Sequence, residues 1–151
     1  MTSSITIRPA SPGDLDDVYS IEKACFGGGE AYPRFFFRQA LDAFGELFLV
    51  AVEDGKVTGY ALGSLQAGET DAVFLALAVD ENHRRRGVGS RLMDRLFAGM
   101  RERCARRVTL TVAPGNDAAI AAYHSAGFSE TAREEHYFGK GESRVVMIKE
   151  L

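Results

Sequence analysis

The sequence predicts one α/β (α+β) domain, and three observations carry the prediction. Apolar residues recur with period two in some segments and at helical spacing in others, giving the order β, α, α, β, β, β, α, β, α, β, β, about seven strands and four helices. Two apolar runs, Leu47 to Glu53 and Val57 to Leu65, bracket Asp54-Gly55, the strongest short hairpin signal in the chain. Asp71 to Ser90 passes from an apolar strand through a polar turn, three arginines and a Gly-x-Gly into a helix. At 151 residues with 46% hydrophobic content, the chain fits a single domain, 1–151, able to bury well over half of its unfolded surface.

Taken in order, Ile5 and Ile7 alternate with Thr6 and Arg8 as a short strand, which Pro9 and Pro12-Gly13 end. A first helix follows: Ser11 or Asp14 can cap it, and Leu15, Val18, Ile21 and Ala24-Cys25 form one apolar face. On that face Cys25 reads as a small core hydrophobe. Gly27 to Pro33 reads as a mobile loop. Arg34 to Phe44 reads as a short helix whose Phe35, Phe36, Phe37, Leu41 and Phe44 are more than one narrow stripe can hide. It is either a helix wedged between core and loop or, with the glycine loop, a wall of a substrate groove. Beyond the hairpin and a turn at Gly68 to Thr70, Ala72 to Val79 is nearly continuous apolar sequence, the pattern of a central strand covered on both faces.

A helix from Gly87 to about Arg103 places Val88, Leu92, Met93, Leu96, Phe97 and Met100 on one face. Arg107 to Val112 alternates as a strand. Asp117 to Ala126 is a small-residue helix, capped by Asn116 or Asp117 and closed by Gly127. Strands around Phe128 to Tyr137 and Ser143 to Lys149 flank a Gly139-Lys140-Gly141 turn.

Composition excludes several functions. A net charge of −3 argues against nucleic-acid binding through a whole-protein positive field. Arg101, Arg103, Arg106 and Arg107 gather at a helix C-terminus, where cations suit the dipole without any ligand. The two cysteines, Cys25 and Cys104, lie far apart with no Cys-x-x-Cys, so a disulfide scaffold and a zinc site are not expected and a reduced, cytoplasmic setting is. The run Met1 to Arg8 has no basic segment followed by an apolar one, and no apolar run reaches membrane length. His83, His124 and His136 lack metal-ligand spacing, so no metal is expected. No Ser-His-Asp order or nucleophile elbow occurs.

Arg84, Arg85 and Arg86 precede a helix N-terminus, which carries partial positive charge, and each misplaced cation costs roughly 0.3–1 kcal/mol there. A polyphosphate resting on free backbone N–H groups, with glycines allowing close approach, turns the misfit into a binding site.

Leu77-Ala78-Val79-Asp80 through Arg84-Arg85-Arg86-Gly87-Val88-Gly89, then a helix, a strand and Asn116-x-x-Ala119-x-x-x-Tyr123 ending in Gly127-Phe128, resembles the GCN5-related N-acetyltransferase (GNAT) family. Within it the chain is most similar to the ribosomal-protein-alanine N-acetyltransferase type. The likeness spans essentially the whole chain, strongest from Ala72 to Phe128 and faint before Leu47. It implies a GNAT fold with a mixed, mostly antiparallel central sheet, and direct transfer of an acetyl group from acetyl-CoA to a primary amine without a metal. It also implies that Arg84, Arg85, Arg86, Gly87, Val88, Gly89 and Ser90 hold the pyrophosphate. The strand backbone at Leu77, Ala78 and Val79 would hold the pantetheine and polarise the thioester, Asn116 would contact the CoA arm, and Tyr123 would protonate the departing thiolate. Asn116 and Tyr123 stand two helical turns apart, on the same side of their helix. A phenol of pKa ~10 can donate to a thiolate whose acid has pKa ~8.5 when the geometry holds them close.

The chain departs from the pattern at Thr111, where the ribosomal-alanine enzymes carry a glutamate as general base; a hydroxyl cannot serve near neutral pH. Other candidates are His136, Glu134, Glu135, Glu30 and Tyr32. An α-amine of pKa ~7.7–8.0 is roughly a tenth neutral at pH 7, whereas a lysine amine near 10.4 is neutral about once in two thousand. Lacking a strong base, the enzyme is expected to favour protein or peptide α-amines, with Tyr32, Phe36, His136 and Tyr137, beside Phe138, shaping the acceptor groove. A small metabolite or drug amine is the alternative acceptor, and a non-catalytic acyl-CoA sensor is the alternative of another class. The expected partners are acetyl-CoA and an amine such as a protein N-terminus, with neither nucleic acid nor membrane, in a monomer or homodimer.

Overall fold

The structure is a computed structural model describing Ser4 to Leu151, so Met1 to Ser3 of the run read for targeting signals lie outside the described residues. The described strands are β1 (Ile5–Pro9), β2 (Phe48–Glu53), β3 (Lys56–Ser64), β4 (Asp71–Val79), β5 (Arg107–Val112), β6 (Ser129–Glu134) and β7 (Arg144–Glu150). They form one sheet in the order β1-β2-β3-β4-β5-β7-β6. Only β4 and β5 run parallel; the other neighbours are antiparallel. The helices are α1 (Leu15–Glu30), α2 (Arg34–Phe44), α3 (Val88–Glu102) and α4 (Asp117–Ser125). The mixed, mostly antiparallel sheet with four helices is the architecture the sequence predicts.

Strand alternation sorts side chains into two apolar layers. Phe48, Val50, Tyr60 and Leu62 pack with Val18 and Ile21 of α1 and with Phe37 and Ala40 of α2. Leu49, Ala51, Ala61 and Phe74 point to the other face and pack with Leu92, Leu96 and Met100 of α3. The hairpin forms as read: φ is +53° at Asp54 and +77° at Gly55, the two left-handed positions of a turn whose twist matches the flanking strands.

Two expectations change, and one of two alternatives is decided. The glycine run is not a loop, because α1 continues to Glu30, with Gly27 and Gly29 at positive φ in its last turns. Only Ala31 to Pro33 connect it to α2, and this short link is tied down: Tyr32 N–H donates to Glu22 Oε2 at 2.9 Å, and the Tyr32 ring stacks on Phe36 at 4.2 Å. Of the α2 aromatics, Phe37 is buried and Phe35 stays 66% exposed, so the helix wedges into the core and leaves its surplus ring outside. Strand β4 is not covered on both faces: Val73 is 40% exposed, and Leu75 to Leu77 are half-buried. The strand is also incompletely paired at one edge. β5 pairs with β4 only from Asp71–Arg107 to Val73–Thr109 and then leaves it.

Candidate active site

The parting of β4 from β5 opens the sheet, and β4 runs between two of the regions the sequence singles out. At its start lies a cavity of about 160 Å³ walled by Val73 to Leu75, Thr109 to Thr111, Tyr32, Tyr137 and Phe138. At its end Leu77 and Val79 lie beside the first turn of α3, where a Cβ built on Gly89 would stand 3.8 Å from each side chain. Between these, among the described residues, the β4 edge facing β5 has no strand partner beyond Val73.

The first intrahelical bond of α3 is Arg91 N–H to Gly87 O at 3.0 Å, and no side chain caps this end. The N–H groups of the preceding turn therefore need another acceptor. Gly87, the N-cap, has φ +82°, and Arg85 has φ +63°, a conformation that costs a non-glycine residue roughly 1–2 kcal/mol. Two of the three arginine side chains have partners of their own. Arg84 donates from Nε to Val79 O at 3.1 Å and from Nη2 to Cys25 Sγ at 3.1 Å. Arg86 Nη1 meets the buried carboxylate of Glu53 at 3.2 Å. His83 bridges the same region, with Nδ1 2.7 Å from Asp80 and Nε2 3.9 Å from Glu53. These contacts pin the loop to β2 and β4 through its side chains. The Val79 carbonyl, expected to serve the pantetheine, accepts from Arg84 and from Cys25 Sγ at 3.5 Å.

On α4, Asn116 is the N-cap: its Oδ1 accepts from Ala119 N–H at 3.2 Å. Gly127, at φ +100°, turns the chain beyond the helix. Tyr123 packs edge-on against Phe74 at 5.7 Å and Phe128 at 5.9 Å; it backs Phe74, a wall of the smaller cavity, and is not itself a wall. Burial raises its phenol pKa and the nearby Arg144 charge opposes the rise, so the hydroxyl is protonated at neutral pH. Among the described residues that hydroxyl makes no hydrogen bond. Ala122 of α4, Ala126 just beyond it, and Ser90 and Met93 of α3 border a second groove of about 410 Å³.

The acceptor-side candidates separate. Tyr32 and Tyr137 are walls of the smaller cavity, and Tyr137 and Phe138, 47% and 61% exposed, form its lip. Phe36 is not a wall; it backs Tyr32. His136 is not a wall either: it is exposed, and its Nδ1 accepts from Gly141 N–H at 2.9 Å to close the turn. Glu30, Glu134 and Glu135 are exposed, and none of them reaches the cavity wall. Two groups escaped the sequence reading. Glu22, 2% exposed, accepts from the Tyr60 hydroxyl at 2.5 Å as well as from Tyr32 N–H. Its signal was a lone carboxylate within the Val18, Ile21, Cys25 stripe. Burial and this carboxylate raise the Tyr60 and Tyr32 phenols. The second group is Arg144, whose Nε and Nη2 donate to Thr111 Oγ1 at 3.2 Å and Thr111 O at 3.0 Å.

A splayed parallel pair with an uncapped helix terminus at one end and an aromatic cavity at the other defines an acyl-carrier-using transferase class. Over residues 15–128 the chain matches the acetyltransferase (GNAT) family, and it belongs to that family. It is an acyltransferase. The chain is 31% identical over 156 residues to the N-alpha-acetyltransferase of Sulfurisphaera tokodaii, covering 96% of this chain and 92% of that one. It is 28% identical over 141 residues to the ribosomal protein bS18-alanine N-acetyltransferase of Escherichia coli K12, covering 92% and 90%. Ard1 from Thermoplasma volcanium superposes with a TM-score of 0.87 at 35% identity over 97% of each chain. The resemblance read from the Arg-x-x-Gly-x-Gly segment and Tyr123 thus holds at the level of the family.

Proposed function

We propose that the protein transfers the acetyl group of acetyl-CoA directly to the α-amine of a peptide or protein. The observation that carries this reading is the course of β4, which links the uncapped α3 terminus at Gly87 to Ser90 with the aromatic cavity at Val73 to Leu75. The diphosphate rests on the backbone of Arg85 to Ser90 at the positive end of the helix dipole. The unpaired edge of β4 takes the pantetheine and places the thioester at the cavity. There a backbone N–H stabilises the developing oxyanion, a contact typically worth roughly 3–4 kcal/mol of barrier. The amine enters past Tyr137 and Phe138. As the C–S bond breaks, Tyr123, kept protonated by its raised pKa, gives its proton to the departing thiolate, and the proton that the nitrogen sheds on becoming an amide restores the phenol through solvent.

Among the described residues no carboxylate lines the cavity, so the acceptor supplies its own neutral form, which an α-amine does far more readily than a lysine. The exposed lip favours a chain that continues outward over an enclosed small amine. The relatives named N-alpha-acetyltransferase support this choice. Both cysteines are free, which suits a reduced cytoplasm. The test is thiol release from acetyl-CoA with a panel of amines. Turnover on peptide α-amines supports the reading; turnover confined to small amines, or tight acetyl-CoA binding with none, overturns it.

A further inference from the structure

We propose that Arg144 selects acceptors that carry a carboxylate close to the reacting amine, in the form of an acidic side chain on the first or second residue of the peptide. The inference rests on the peptide-acetylating reading above and specifies its substrate. Arg144 opens β7, and its guanidinium lies against two cavity walls: it donates twice to Thr111 and sits 4.9 Å over the ring of Phe138. Thr111 is neutral, so these contacts orient the cation without cancelling its charge.

Among the described residues no carboxylate lies within ion-pair distance of Arg144. Glu134 faces it in the sheet register without forming an ion pair, and Arg133 on the same strand pairs with Glu135 at 3.1 Å. Glu22, the buried carboxylate behind Tyr32, already accepts from Tyr60 and Tyr32. A half-buried guanidinium held by two hydrogen bonds and a ring has lost its side-chain freedom before any ligand arrives, so a carboxylate meets a preorganised donor. Its field reaches both phenols at the site, opposing the upward shifts of Tyr32 and Tyr123. The same field disfavours an ammonium in the cavity and favours the neutral amine that attacks the thioester.

The test compares matched peptides with Asp or Glu against Asn or Gln at the first and second positions, for the native protein and for Arg144→Gln, Arg144→Lys and Thr111→Glu. The native enzyme is expected to prefer acidic peptides by roughly ten- to hundredfold in kcat/KM, as one charge-assisted hydrogen bond allows. Arg144→Gln levels the preference, Arg144→Lys keeps part of it, and Thr111→Glu, which places a carboxylate on the guanidinium, also removes it. Unchanged acetyl-CoA affinity certifies the fold of each variant. Equal use of acidic and neutral peptides by the native enzyme, or a preference that survives in folded Arg144→Gln, overturns the proposal and leaves peptide acetylation standing. Turnover of free aspartate or glutamate but of no peptide overturns the peptide reading and supports the carboxylate site. If no amine turns over, calorimetry of the peptides with the CoA-loaded protein decides: equal binding of acidic and neutral peptides overturns the proposal, and Arg144-dependent binding of the acidic ones supports it.

Discussion

Gly89 offers a perturbation in which folding and cofactor binding move apart. Its φ is not in the left-handed region, and a Cβ there would meet only Leu77 Cδ2 and Val79 Cγ2, each at 3.8 Å, ordinary contact distances. Packing therefore does not demand glycine at this position. In a helix, replacing glycine by alanine stabilises by roughly 0.5–1 kcal/mol, so Gly89→Ala should fold as well as the native protein or better. Gly89→Glu keeps the same backbone but brings a carboxylate to the proposed diphosphate site. At about 5 Å and an effective dielectric of about 20, each pair of like charges there repels by roughly 3 kcal/mol, more than a hundredfold in Kd. Neighbouring Gly87 behaves differently: at φ +82° any other residue is strained by about 1–2 kcal/mol, so Gly87→Ala loses stability first. Calorimetric titration with acetyl-CoA, beside thermal melts of the three variants, reads both quantities. A folded Gly89→Glu protein that binds acetyl-CoA with native affinity refutes the placement of the diphosphate on this turn.

Three further outcomes follow from the same contacts. Tyr123→Phe should lower kcat by roughly 10²–10⁴ with little change in the KM for acetyl-CoA. Because burial holds the native phenol above its ordinary value near 10, that tyrosine should impose no alkaline fall in kcat below about pH 10; a fall there that disappears in Tyr123→Phe contradicts the raised pKa, and a native kcat in Tyr123→Phe contradicts its role. Glu22→Ala leaves the buried Tyr60 hydroxyl without its acceptor, a loss of roughly 1–3 kcal/mol in urea unfolding, and native stability would show that the bond is immaterial. Asp14, buried beside Arg8 at 2.7 Å, has its pKa held below the ordinary 3.8, chiefly by that hydrogen bond. Its folded pKa is the lower one, so its contribution is complete above the unfolded value and disappears as pH falls through the folded value. Asp14→Asn should be less stable than the native protein at neutral pH and should differ from it progressively less below about pH 4; a gap independent of pH rules this out.

Where the determinants were local, the sequence was enough to locate them. The Asp54-Gly55 turn, the Asn116 cap, Gly127 and the apolar face of α3 are each set by neighbours within a few positions, and each stands where the sequence places it. The glycine run misled because three flexible residues signal a loop, whereas here they end a helix already docked through Val18 and Ile21. Glu22 was legible in principle, as a carboxylate in an apolar stripe, but its meaning depends on Tyr60, which only the packing of α1 on β3 brings to it. Arg144 was not legible at all. Its partners Thr111 and Phe138 come from β5 and from the turn before β7, and no spacing along the chain announces that encounter. His136 shows the reverse: a residue of suggestive chemistry that the fold spends on closing a turn.

The decisive comparison uses one peptide in two forms, with its α-amine free or blocked and an internal lysine in both, incubated with acetyl-CoA while thiol release and the site of acetylation are followed. Release with the free form, acetyl on the α-amine and neither event with the blocked form are the predicted results. Equal release from the blocked peptide, or saturable acetyl-CoA binding with no transfer to either form, contradicts the assignment of an α-amine acetyltransferase.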